Sequence, residues 1–192
     1  KINSKAFKRK IEGLNELQEK LESIDDLTDL SFPIFKGLEK SPGWSQRNLM
    51  VNQLVIDIMR HVIIKSENIT KATVSIIFPF LVEKLSERNL KTPLTELFNI
   101  IAEALCPSLI IHQVCEVCAP IKGGKPLNPK AISTALDITC GIIKNYGVGS
   151  VSVTDLMPHL IILLQNRAPE VKAGSSLVTN YLYKKFGSPI EK

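Results

Sequence analysis

"NPKAISTALDITCGIIKNYG", residues 128–147, decides how this chain is read. Asn128 suits a helix cap and Pro129 the first helical position. Ile132, Ala135, Leu136, Thr139, Ile142 and Ile143 then recur at the i, i+3, i+4, i+7 spacing of one helical face. Gly147 supplies the left-handed residue that ends many helices. One residue is out of place. Lys130 is a cation just inside a helix N-terminus, where it opposes the macrodipole at a cost of about 0.3 kcal/mol if exposed.

The same design recurs along the chain. "FKRKIEGLNELQEKL" from Phe7, "WSQRNLMVNQLVIDIMRHV" from Trp44, "NLKTPLTELFNIIAEAL" from Asn89 and "PEVKAGSSLVTNYLYKKFG" from Pro169 each follow a polar turn. With Lys10, Asn48, Lys91, Lys130 and Lys172 as register marks, the steps are 38, 43, 39 and 42 residues. A period of about 40 is that of arrays built from two helices per repeat. Val51, Leu54, Val55, Ile58 and Val62 line one helical face, and Val171, Gly174, Ser175, Val178, Tyr181 and Leu182 another. Partner helices are expected at 26–40, 70–87, 107–121 and 154–166, the last capped by Thr154 or Asp155 with Pro158 near its first turn. "GSVSV", residues 149–153, alternates briefly but falls where a cap and linker belong. The fold class is therefore all-α: a HEAT-repeat solenoid of about five helix pairs over residues 1–192, with repeats at 1–24, 25–66, 69–106, 107–147 and 152–187.

The bulk composition agrees. In 192 residues, 44% are hydrophobic and 22% charged, which suits a folded chain. No apolar run approaches the roughly 20 residues that cross a bilayer, and none follows the basic "KINSKAFKRK" as a secretory signal would. Cys106, Cys115, Cys118 and Cys140 lie in apolar helical contexts, as free core cysteines do, which suits a reduced cytoplasmic protein. The net charge of +5 favours an acidic partner only mildly, so its placement matters more than its sum.

That placement is ordered. The turns inside the helix pairs offer Phe7, Lys8, Arg9 and Lys10, then Trp44, Ser45, Arg47 and Asn48, then Arg88, Asn89 and Lys91. Lys125, Asn128 and Lys130 follow, and then Asn166, Arg167 and Lys172. The turns between pairs carry Asp25, Asp26, Asp29, Glu67 and Asp155. Acidic residues, Glu87 and Glu170, are rare in the first set, so charge is sorted by edge, and Lys130 is misplaced for its own helix but well placed for that edge. Solvated turns hold charge in any case; what favours a binding surface is the pair of aromatics, Phe7 and Trp44, each expected exposed just after a turn. For Trp44 the alternative is that it packs back on the preceding helix after "SPG".

These residues resemble a known family. "FKRKIEGLNEL" looks like the opening of a TOG domain, where a tryptophan and a basic pair start the second helix of the first repeat. "PGW" at Pro42–Trp44 with "RNLMVNQLVIDIMRHV" resembles the second repeat of the later TOG domains, third or fourth, of the ch-TOG and mini spindles microtubule polymerases. "NPKAISTAL" and "APEVKAGSSLVTNYLYKKFG" resemble the fourth and fifth repeats. The resemblance covers nearly the whole chain. It implies a flat HEAT paddle that binds αβ-tubulin or the microtubule lattice through its intra-repeat loops, the first two facing β-tubulin and the later ones α-tubulin. By position, Phe7 falls at the family's loop tryptophan and Lys8 and Lys10 at its basic pair. Trp44, Arg47 and Asn48 belong to the second loop, Arg88 and Lys91 to the third, Asn128 and Lys130 to the fourth, and Lys172 to the fifth. It also implies further TOG domains in the same chain and a place at microtubule ends, spindle poles or the centrosome. The chain departs from the pattern in three ways: Phe7 replaces a tryptophan, no sixth repeat fits after Phe186, and the first helix before Phe7 is expected to be absent or very short.

Other chemistry is thinly represented. Cys115-x-x-Cys118, with His112 and Cys106 nearby, sits at i, i+3 on the apolar run "SLIIHQVCEVCAP", whereas a structural zinc site usually needs two such pairs. "GVGS" at 147–150 and "GGKP" at 123–126 lack the remaining glycines and the Ser/Thr of nucleotide loops. His61, His112 and His159 fall in separate repeats, and no catalytic constellation is visible. We expect no enzyme, no cofactor, no metal and no membrane partner. The competing readings are a nucleic-acid binder using the basic edge for phosphates, or a general adaptor using its inner face. The modest charge and sparse aromatic interleaving count against nucleic acid.

Overall fold

The computed structural model describes residues 2–121, 126–149 and 151–187, with side chains from Phe7 onward. Lys125 and most of "GGKP" fall outside the described residues. So does Ser150 of "GVGS". All regular structure among the described residues is helical. The chain falls into two compact units, residues 1–80 and 81–192.

The first unit holds α1 (Ile2–Glu22), α2 (Thr28–Leu38), α3 (Leu49–Ile64) and α4 (Lys71–Ser75); α5 (Phe78–Lys84) carries the chain into the second. Helix α1 is longer than expected. "INSKA" contains neither proline nor glycine, so nothing breaks the helix before Phe7, and Phe7, Lys8 and Lys10 lie inside it rather than in a turn. Helix α3 begins at Leu49, not at Trp44, because Asn48 is extended (φ −74°, ψ 121°) and its Oδ1 accepts the Val51 N–H. The helix expected over 70–87 is interrupted. Pro79 has no N–H to donate to the Ser75 carbonyl and its ring crowds that oxygen, so α4 ends at Ser75 and α5 restarts with Pro79 in its first turn.

The long helices of this unit run parallel. Helices α1 and α3 pack along each other and their C-terminal ends meet. There a ring nitrogen of His61 lies 3.3 Å from the Leu21 carbonyl, and Lys65 Nζ donates to the Glu22 and Ile24 carbonyls at 2.8 and 2.7 Å. Leu14 and Leu21 of α1 are buried, as are Val51, Val55, Ile58, Met59 and Val62 of α3.

The second unit contains α6 (Lys91–Ala104), α7 (Pro107–Cys118), α8 (Pro129–Tyr146), α9 (Val153–Leu164) and α10 (Pro169–Phe186). Helix α8 forms as its sequence dictates: Asn128 Oδ1 accepts the Lys130 N–H at 2.9 Å, and Gly147 turns the chain at φ 77°. Helix α9 starts earlier than expected. Its cap is Ser152, whose hydroxyl accepts the Asp155 N–H, so Pro158 lies inside the helix rather than near its first turn. Helix α7 packs on α9 and α8 on α10, so first helices stack on first and second on second. Ile132, Leu136, Cys140 and Ile143 of α8 share one core with Val171, Val178 and Leu182 of α10.

Contacts between named residues give the direction of packing. A Cβ placed on Gly174 would sit 3.1 Å from the Leu136 Cβ, and Lys144 Nζ stands 5.7 Å from the centre of the Tyr181 ring. Both pairings advance together, so α8 and α10 are parallel. Tyr146 Oη donates to Glu103 Oε1 at 2.7 Å, joining the C-terminal ends of α6 and α8. Gly174→Val would force a branched side chain into Leu136. We expect a loss of about 2 kcal/mol in urea unfolding, the range typical of overpacking. An unchanged midpoint would show that the two helices can part freely.

Candidate functional site

Parallel packing sets where the charges go. In the second unit, α6, α8 and α10 lie side by side in that order. Each carries a lysine near its start: Lys91 is the first residue of α6, Lys130 the second of α8 and Lys172 the fourth of α10, and all are exposed. Tracing back from the Glu103–Tyr146 and Leu136–Gly174 contacts puts Lys91 and Lys172 level with Thr134. At 1.5 Å per residue, Lys130 then stands about 6 Å further out along the axis. The three form a row across one end of the unit. Arg88, exposed in the short turn before α6, extends it.

In the first unit, the Leu21–His61 contact pairs positions 40 residues apart. Stepping back along parallel helices brings Lys8 level with Asn48 and Lys10 level with Met50. Lys8, Arg9 and Arg47 are exposed, while Phe7 and Lys10 are half-buried. Lys10 and Arg9 edge a groove of about 590 Å³ between α1 and α2, floored by Leu14, Leu17, Leu30 and Ile34. The stem of Lys10 therefore lies along apolar surface. Each unit by itself carries a row of cations: Lys91, Lys130 and Lys172 in the second, and Lys8, Arg9, Lys10 and Arg47 in the first. Sorting at the other end is looser: Lys65 is there too, its Nζ on the Glu22 and Ile24 carbonyls, and Asp26 is engaged locally by the Thr28 hydroxyl and N–H, which lower its pKa.

Two candidates have structural duties. Trp44 is half-buried, its ring centre 5.1 Å from that of Phe80 at a 39° tilt, so it packs back rather than standing free. Its Nε1 is buried without a hydrogen-bond partner among the described residues. Asn48 and Asn128 serve as caps, Asn128 remaining exposed.

Two residues in this region are missed by the sequence reading. Gln46 is buried, and its Oε1 accepts the N–H groups of Arg47 and Asn48 at 2.8 and 3.1 Å. Asn52 is fully buried and donates through Nδ2 to the Gln46 carbonyl at 3.3 Å. A signal existed for Asn52: it shares a helical stripe with Ile56, Met59 and Ile63, all buried.

Of the cysteine and histidine candidates, Cys115, Cys140 and His159 are buried, while Cys106, Cys118, His61 and His112 are half-buried. Cys115 and Cys140 are buried, and burial pushes their thiols up to about 12 and about 11. Buried His159 has Nδ1 2.7 Å from the Ala119 carbonyl. Among the described residues, no group of three His, Cys, Asp or Glu side chains could hold a metal ion.

The family model for the XMAP215/Dis1/CLASP TOG domain matches residues 1–192. The chain belongs to this TOG-domain family. Members are tubulin- and microtubule-binding modules. This TOG domain is 20% identical over 191 residues to Protein MOR1 of Oryza sativa subsp. japonica, covering 99% of this chain and 9% of that protein. It is 21% identical over 156 residues to Protein MOR1 of Arabidopsis thaliana, covering 81% and 8%. The chain thus spans less than a tenth of these relatives. Its fold is similar to the solved Drosophila melanogaster Mini spindles TOG3, with a TM-score of 0.73 at 18% identity over 96% of this chain and 79% of that one. No described helix is long and apolar enough to cross a membrane.

Two outcomes follow from the packing of this TOG domain. Trp44→Ala should cost about 2 kcal/mol of unfolding free energy, below the range for fully buried rings. Trp44→Phe should cost far less, since it keeps a ring on Phe80 and removes an unpartnered N–H. Equal stability of both variants would show that the ring does not pack. A maleimide reagent should modify Cys115 and Cys140 only on unfolding, because the reactive thiolate is suppressed and covered; rapid labelling of either in the native protein would contradict their burial.

Proposed function

We propose that this TOG domain binds αβ-tubulin without catalysis, through the two rows of helix starts and loops, within a longer microtubule polymerase or related regulator. The observation that carries the reading is the row of exposed Lys91, Lys130 and Lys172 on three parallel helices, in a chain matched by the TOG family model over its whole length. Tubulin is acidic, so such a row raises the association rate and fixes orientation more than it adds affinity. Lys8, Lys10, Arg47 and Asn48 with Phe7 offer the second contact, Phe7 as the apolar anchor. Trp44 acts from below, holding the loop against Phe80.

The position carried over from the family gives β-tubulin to the first-unit residues and α-tubulin to the second-unit residues. We further propose the five-repeat division at 1–24, 25–66, 69–106, 107–147 and 152–187, and a place third or fourth among TOG domains of one chain. Several such domains in tandem would raise the local tubulin concentration at a growing end, which is the cytoskeletal location this reading implies.

Co-migration with tubulin on size exclusion, at low and moderate salt, tests the core of this reading. The wild-type domain should bind, and more weakly as salt rises. Each single Lys→Ala substitution at Lys91, Lys130 or Lys172 should cost about 1 kcal/mol or less, mostly in association rate, and Lys→Glu at all three should abolish binding. Phe7→Ala should cost about 2 kcal/mol as an anchor. Unaltered binding by the triple variant would turn the assignment towards an adaptor using another face. Binding to duplex DNA or RNA at physiological salt, with tubulin ignored, would turn it towards nucleic acid.

A further inference from the structure

We propose that Gln46 is the positioning residue for Arg47: it fixes the backbone of the second loop before any partner arrives, so that the Arg47 side chain starts from one place and direction. This rests on the tubulin reading above and deepens it. The loop between α2 and α3 begins with a short helical stretch, Glu39–Gly43, kinked at Ser41; beyond it, local hydrogen bonds tie the chain together, while Trp44 Nε1 and Asn52 Oδ1 are left buried without a partner among the described residues. Gly43 turns the chain at φ 84°, a conformation that side-chain-bearing residues rarely adopt, and its carbonyl accepts the Gln46 N–H at 3.3 Å. The buried Gln46 side chain then turns back onto the main chain that follows it. Its single Oε1 accepts two successive N–H groups, those of Arg47 and Asn48. The Gln46 carbonyl accepts from buried Asn52 on the first turn of α3. Asn48 Oδ1 closes the set by accepting the Val51 N–H. Arg47 is the exposed residue between these anchored neighbours.

The chemistry of the lock is specific. A buried acceptor aimed at two consecutive amides holds their peptide planes in a fixed relation, which a leucine or methionine of similar volume cannot do. A loop held this way loses less conformational freedom on binding, and that saving is read as affinity. Glutamate at this position keeps an acceptor of the same reach.

The test has two readouts. Amide hydrogen exchange on the free domain reports the lock without tubulin. Gln46→Leu should reduce protection of the Arg47 and Asn48 amides about ten-fold, with the exchange of α3 beyond its first turn unchanged. Gln46→Glu should restore that protection. Unchanged exchange in Gln46→Leu would overturn the lock and leave the tubulin assignment standing. The second readout is tubulin affinity in two backgrounds. Gln46→Leu should weaken binding about five-fold in the wild-type chain and not at all in an Arg47→Ala chain. An equal loss in both backgrounds would overturn positioning, because Gln46 would then act other than through Arg47. Arg47→Ala with full affinity would remove the loop contact itself, and with it both this inference and the first-unit half of the assignment.

Discussion

The bare backbone of Gly174 against Leu136 is the contact on which the second unit depends. It brings α8 and α10 close along parallel axes, with Lys144 over Tyr181 continuing the alignment. Glu103 and Tyr146 tie α6 into the same sense at the opposite end. Once three helices share a direction, whatever their first turns carry appears together. The cations of Lys91, Lys130 and Lys172 are thus gathered by core packing and not by any attraction among themselves. The electrostatic cost is borne locally: each lysine faces the positive end of its own helix, a small penalty at exposed positions.

The first unit reaches a comparable arrangement with different means. Helices α1 and α3 are aligned by hydrogen bonds at their far ends, where His61 and Lys65 reach the last carbonyls of α1 and the turn beyond. At the near ends α1 continues past the level of Asn48, so Phe7 and Lys8 project from a helical surface while Arg47 projects from a loop. One is stiff because it is helical. The other is held by Gln46, Asn48 and Asn52, which engage the Arg47, Asn48 and Val51 amides and the Gln46 carbonyl. Both routes limit the ordering that a partner would otherwise have to impose.

Much of this was legible in the sequence, for reasons visible in single residues. The α8 cap, start and end follow from Asn128, Pro129 and Gly147, because local chemistry alone decides them. The helical stripes mark the buried faces of α3, α8 and α10 because burial enforces the period. Other features were set by non-local or competing terms. The absence of a breaker let α1 run through Phe7. Pro79 divided the helix that apolar periodicity had joined. Trp44 found Phe80, a residue 36 positions later that no local pattern indicates. The Gln46 lock was invisible for a related reason: a glutamine in a polar stretch looks solvated until Asn52 is known to be buried beneath it.

The two asparagine caps have a chemical corollary. Each turns its amide oxygen inward to the backbone, so the group left at the surface is the NH2. Together with the ammonium and guanidinium groups, this adds proton donors to the cap-bearing ends of both units, with Glu170 and Glu87 the carboxylates beside them in the second. Such donors are matched by oxygen lone pairs, whether from carboxylates, side-chain amides or main-chain carbonyls.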